Sequence, residues 1–263
     1  MSFFGRMLAS VGIGSTKVDT VLEKSSYCPG EVIRGIIRIQ GGSVEQQIDG
    51  INLTVMTTYI QEIDDSKFNK NGEVARFQVF QPQSIGVQEF KEIPFSITLP
   101  GNTPLTIGRS PVWIKTDADI QSAVDPTDAD HIQVTPSVFQ KTVMDAVDSL
   151  GFRLKNIESL YAPRMRAALP FIQEQEWVPT GGRYRGKLDE LEVVFLNVRP
   201  DGVDLLLQID RKASGWLGRL AESMDVDESF VRVSLNSNDL NAGYSRVADI
   251  LDSIISKHSH SPY

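Results

Sequence analysis

EVIRGIIRIQGG, residues 31–42, decides the fold class. Ile33, Gly35, Ile37 and Ile39 fall on one side of an extended chain, while Arg34, Arg38 and Gln40 fall on the other. Successive side chains of a strand point to opposite faces, so this alternation marks a strand with one face on a core and the other in water. Outward from it, INLTVMTTYIQEI (51–63) sets Ile51, Leu53, Val55 and Tyr59 against Asn52, Thr54 and Thr58, and KEIPFSITLP (91–100) repeats the pattern through Ile93, Phe95, Ile97 and Leu99. The clusters CPGE, QGGS, NKNG and LPGN supply turns between such runs. Several one-sided strands with hardly a helical pattern among them predict an antiparallel β-sandwich over residues 18–124, preceded by an amphipathic segment, 1–17.

Composition changes in PVWIKTDADIQSAVDPTDADHIQV (111–134), which holds Asp117, Asp119, Asp125, Asp128 and Asp130. SAVDPTDAD is polar and aperiodic, so an inter-domain connection is expected at 125–136. A second domain, 137–236, then opens on a helix. Ser137 is its expected cap; Phe139, Val143, Val147 and Leu150 recur at helical spacing; Gly151 suits its end. FRLKNIESLY and FIQEQEWVP are expected strands, LDELEVVFLNV and VDLLLQIDRKA a hairpin about RPDG, and SFVRVSL a further strand. In 237–263, LNAGYSRVADILDSIISKH places Leu240, Tyr244, Val247, Leu251 and Ile255 on one stripe, an amphipathic helix capped by Asn238 or Asp239.

The chemistry that the residues permit is narrow. A formal charge of -8 and pI near 5.0 argue against nucleic acid as a partner. Cys28 is the single cysteine, so no intramolecular disulfide forms. No run approaches the apolar length of a membrane span, and MSFFGRMLASVGIG makes a poor secretory signal, so a cytoplasmic protein is expected. With Arg6 as its only charge, that N-terminal segment offers a membrane surface a weak contact at most. The aspartates lack the glycine and distal glutamate of a calcium loop, and His131 has no neighbouring His or Cys to make a zinc site. Neither a nucleophile elbow nor a phosphate-binding loop is present, and no cofactor is expected.

Two segments have the composition of interaction surfaces. GWLGRLAES presents Trp216, Leu217 and Leu220 beside Arg211, Lys212 and Arg219; an aromatic with arginines on a loop is the make-up of a binding hot spot, though a loop folded onto its own core fits equally. GGRYRGKLDE gathers Arg183, Arg185 and Lys187 on an otherwise acidic chain, suited to an acidic partner or to a solvated turn.

The run Tyr27, Cys28, Pro29, Gly30, Glu31, Val32 and Gly35 resembles the early strand–turn–strand signature of arrestin-fold N-terminal domains. MSFFGRMLASVGIGSTKVDTVLEK, GGSVEQQIDGINLTVMTTYI and PVWIKTDADI resemble the bacterial sporulation-control protein M family (stage zero sporulation). The likeness covers nearly all of the first 150 residues, and the general plan continues beyond. It implies two arrestin-like β-sandwich domains and a non-enzymatic scaffold or adaptor that regulates sporulation by binding other proteins. In arrestins a polar core of opposed charges joins the domains, and Asp117 and Asp119 stand where the acids of such an inter-domain contact are expected; no motif assigns their basic partners. The C-terminal helix departs from the simplest arrestin plan. A different class of function, a β-sandwich module that binds a small ligand or a calcium ion through Asp117, Asp119 or the tryptophans, is the alternative.

Overall fold

The computed structural model describes residues 15–64, 66–121, 125–165, 167–210 and 230–259. The chain runs through β1 (Lys17–Leu22), β2 (Ser26–Tyr27), β3 (Val32–Gln40), β4 (Gln46–Ile63), β5 (Ser66–Phe80), β6 (Gln83–Ile85), β7 (Phe90–Thr98), β8 (Val112–Ile120) and β9 (Thr127–Val134). It continues through α1 (Val138–Ser149), β10 (Phe152–Tyr161), β11 (Phe171–Pro179), β12 (Glu190–Arg199), β13 (Gly202–Asp210), β14 (Phe230–Asn236), α2 (Ser237–Asn241) and α3 (Tyr244–Ser259). The protein is mainly β, with a few helices.

In the first half, a sheet ordered β1-β3-β7 packs on one built around β4, β8 and β9. The alternation in β3 sets this up: Ile33, Ile37 and Ile39 have no solvent exposure, whereas Arg34, Ile36 and Arg38 face out. They meet Ile51, Leu53, Val55 and Ile114 of the opposite sheet, and each such side chain stabilises the fold by roughly 1.5–3 kcal/mol through burial. Gly35 lies in this layer because nothing larger fits. A Cβ there would sit 2.4 Å from the Val21 carbonyl oxygen and 2.8 Å from the Phe95 ring.

Two expectations are corrected here. NKNG is not a turn but part of β5, where a Cβ on Gly72 would come within 2.6 Å of the Phe171 ring; the reversal between β4 and β5 lies at Asp64, whose φ is 49°. Nor is 125–136 a linker. Thr127–Val134 is β9, antiparallel to β8 and parallel to β2, because Asp128, Asp130, Ile132 and Val134 share a face whose apolar end is buried in the first core. The crossing between halves takes only Thr135–Ser137.

The second half is an antiparallel meander, β10 to β14 in chain order. Leu191, Val193, Leu205 and Leu207 on one face pack against Val143 and Val147 of α1 and Val247, Leu251 and Ile255 of α3. Leu160, Ile172, Val194 and Leu206 form a smaller cluster on the opposite face. Ser137 caps α1 in a reciprocal pair with Gln140, and Gly151, at φ 94°, follows its end. The C-terminal stripe is interrupted: Gly243, at φ 94°, separates α2 from α3, Asn236 is the cap, and Tyr244 is exposed while Leu240, Val247, Leu251 and Ile255 are buried. Leu160 of β10 runs parallel to Ile60 of β4, which joins the meander to the first half in one eleven-stranded sheet.

Candidate interaction surface and the seam between the halves

The acidic stretch is the β8–β9 hairpin of the eleven-stranded sheet. Lys115 and Asp117, both outward on β8, form an ion pair at 2.6 Å, and Asp119 is exposed beyond them. Asp125 accepts a hydrogen bond from the Ile120 amide at 3.0 Å, closing the hairpin. Asp128 accepts one from the Thr20 amide at 2.8 Å and so ties β9 to β1 across the sandwich edge. Burial, with Asp128 and Asp19 nearby, pushes Asp130 up to about 6. Among the described residues no group of three or more His, Cys, Asp or Glu side chains is placed to hold a metal ion, and no helix is long and apolar enough to cross a membrane.

The contacts between the halves run through the loop from Gly101 to Pro111 rather than through Asp117 and Asp119. The Leu105 amide donates to Gln173 Oε1 at 2.8 Å, and Gln173 Nε2 donates back to the Leu105 carbonyl at 2.8 Å. Ser110 and Ser159 hydroxyls meet at 3.2 Å, and Gly108 lies against Ile157 so closely that a Cβ would come within 2.6 Å of its side chain. Beside the loop, Tyr59 of β4 stacks on Phe171 at 5.1 Å and on Tyr161 at 5.6 Å between ring centroids. Amide, hydroxyl and aromatic contacts make this seam. It departs from the expected meeting of opposed charges, because the loop lays neutral backbone along the second sheet.

The basic turn between β11 and β12 is pinned from below. Tyr184 is buried, and its hydroxyl donates to Asp252 Oδ1 of α3 at 2.7 Å. Burial and that bond push the Tyr184 phenol up to about 12, so it stays protonated as a donor. Arg183 lies over the Tyr184 ring, 5.0 Å from its centroid, and reaches the same Asp252 carboxylate at 3.0 Å. Arg183 and Tyr184 are thereby fixed to α3, while Arg185 and Lys187 are exposed. Sequence placed the three basic residues together; the structure separates one fixed by an ion pair from two that face water. Trp216, Leu217 and Leu220, and most of segment 1–17, lie outside the described residues.

The SpoOM protein family (Spo0M) matches residues 4–213. The chain belongs to that family. It is 39% identical over 259 residues to the sporulation-control protein spo0M of Bacillus subtilis strain 168, covering 98% of this chain and 100% of that protein. The crystal structure of Spo0M from Bacillus subtilis aligns with a TM-score of 0.86 and 38% identity, over 93% of this chain and 99% of the other. The mainly β architecture described above is thus shared with a solved SpoOM family member.

Within this family member, Gln173, Tyr59, Tyr184 and Asp252 carry roles that sequence reasoning did not assign. β11 held a signal for Gln173: the run Gln173–Glu176 is polar on both faces, which an ordinary half-buried strand does not require. Nothing in the sequence paired Tyr184 with Asp252, because a turn and a helix 68 residues apart meet only in the tertiary fold.

Proposed function

We propose that the protein is a non-enzymatic, cytoplasmic regulator of sporulation that works by binding other proteins, with Arg185 and Lys187 as the charged part of its docking surface. Membership of a family whose relative is a sporulation-control protein supports the process. The mode of action is inferred from one arrangement: two exposed cations on a turn that Tyr184, Arg183 and Asp252 lock to α3. Side chains presented from a rigid mount lose less freedom on binding than those of a loose loop. On a chain of net charge -8, such a turn favours an acidic partner surface and disfavours most others. The arrestin-like scaffold is the form of this reading: two β-rich halves that bring partners together without chemistry of their own.

The test is capture of partners from sporulating cells with the wild type and with Arg185→Glu combined with Lys187→Glu. The double variant is expected to lose one or more captured proteins, in a manner sensitive to salt, and to change sporulation frequency when it replaces the wild type. Full capture and normal sporulation by a folded double variant would reject this surface.

A further inference from the structure

A cavity of about 400 Å³ lies between the loop that follows β7 and the face of the meander opposite the helices. That size is within the range of small-molecule sites. Met165 and Leu196 give it an apolar wall; Asn102, Asn197, Arg232 and Ser234 bring polar groups to it. Asn102 belongs to the first half and the others to the second. The loop is held hard against the sheet here, since a Cβ on Gly101 would lie 2.1 Å from the Val198 carbonyl oxygen.

Charge decides what such a cavity takes. Asp204 also lines it, but its carboxylate is held by the Arg199 guanidinium and by the Ser234 hydroxyl, which donates at 2.8 Å. These bonds hold Asp204 below the ordinary carboxylate range. Arg199 reaches out to Asp201 as well, at 3.2 Å, but that carboxylate is 81% exposed and its charge is screened by water. Arg232 on the neighbouring strand also acts on Asp204, so the set of Arg199, Asp204 and Arg232 carries one cation more than it has anions and gives the wall a positive character. A guanidinium beside amides and an apolar wall complements a carboxylate that carries a short hydrocarbon chain.

We infer that this cavity binds a small aliphatic carboxylate, with its charge on Arg232 and its chain against Met165 and Leu196, and that occupation braces the Gly101–Asn102 turn against the second sheet. The site is separate from the basic turn and stands or falls without it.

Calorimetric titration of the full chain with sodium octanoate tests the inference, with octanol as the probe that keeps the chain and lacks the charge. Octanoate is expected to bind one to one and octanol much more weakly. Arg232→Ala should weaken octanoate roughly tenfold or more, the loss of a charge-assisted bond, and Leu196→Trp should block it by filling the space. Arg185→Ala, a cation removed elsewhere, should bind as the wild type does. Arg232 is exposed, so its alanine variant folds and decides the matter even if Leu196→Trp does not. Absence of octanoate binding, equal binding of octanol, or unchanged affinity in Arg232→Ala would each overturn the inference.

Discussion

Glu174 concentrates the electrostatics of the second half in one side chain. It stands on β11 across from Glu158 on β10, two residues from Glu176, with Oε2 shut away from water. Burial first, then the charges of Glu176, Glu190 and Glu158, push it up to about 8, with Lys67 opposing. Its folded value therefore lies above the ordinary 4.5, so its proton stabilises the fold fully below that pH, and the contribution is lost as pH rises through about 8. Asp130 makes a similar fall lower down, between its ordinary 3.8 and about 6, but wild type and Glu174→Gln share it, so the difference between them at each pH isolates Glu174. Glu174→Gln is expected to match the wild type in urea midpoint near pH 5 and to exceed it at pH 9, by on the order of 3 kcal/mol. Equal pH slopes for the two proteins would dismiss the account.

At the scale of elements, α1 shows local sequence deciding structure almost unaided. Ser137 accepts from the Gln140 amide while the Gln140 side chain reaches back to the Ser137 amide, and Gly151 takes the left-handed conformation after the last turn. Ser137→Ala should lower stability by about 1 kcal/mol and be read as a shifted denaturation midpoint, because the Gln140 amide loses the hydroxyl that accepts from it while the bond from the residue-137 amide to the Gln140 side chain remains. β9 shows the opposite. Its first residues carry Asp128 and Asp130 where a core strand would carry apolar side chains, so the run reads as a connection. The tertiary fold gives those acids a task, since Asp128 takes the Thr20 amide, and the buried Ile132 and Val134 hold the rest in register. The C-terminal stripe holds at Leu240, Val247, Leu251 and Ile255, fails at Tyr244, which is exposed, and is silent about the break, because an apolar spacing continues across Gly243 whether or not the backbone does.

For the whole molecule, the decisive feature is how the two cores are held together. Gln173 satisfies both the amide and the carbonyl of Leu105, a loop backbone that would otherwise be partly buried without partners. Gln173→Ala should leave both cores folded but free the loop: the Leu105 amide should exchange with solvent at least several-fold faster, for a loss of roughly 1–3 kcal/mol of local stability. Asp117→Ala with Asp119→Ala should leave that exchange rate unchanged, since Asp117 pairs with Lys115 within its own strand.

Alternation in β3, β4 and β7, the capped pattern of α1 and the hairpin about Pro200 and Asp201 were each determined by the sequence alone, because neighbours along the chain decide which face a side chain takes. The seam, the covering of the meander by α1 and α3, and the fixing of Arg183 by Asp252 were settled only by the tertiary structure. Each joins residues far apart in the chain, and periodicity records which way a side chain points without recording what will be there to meet it.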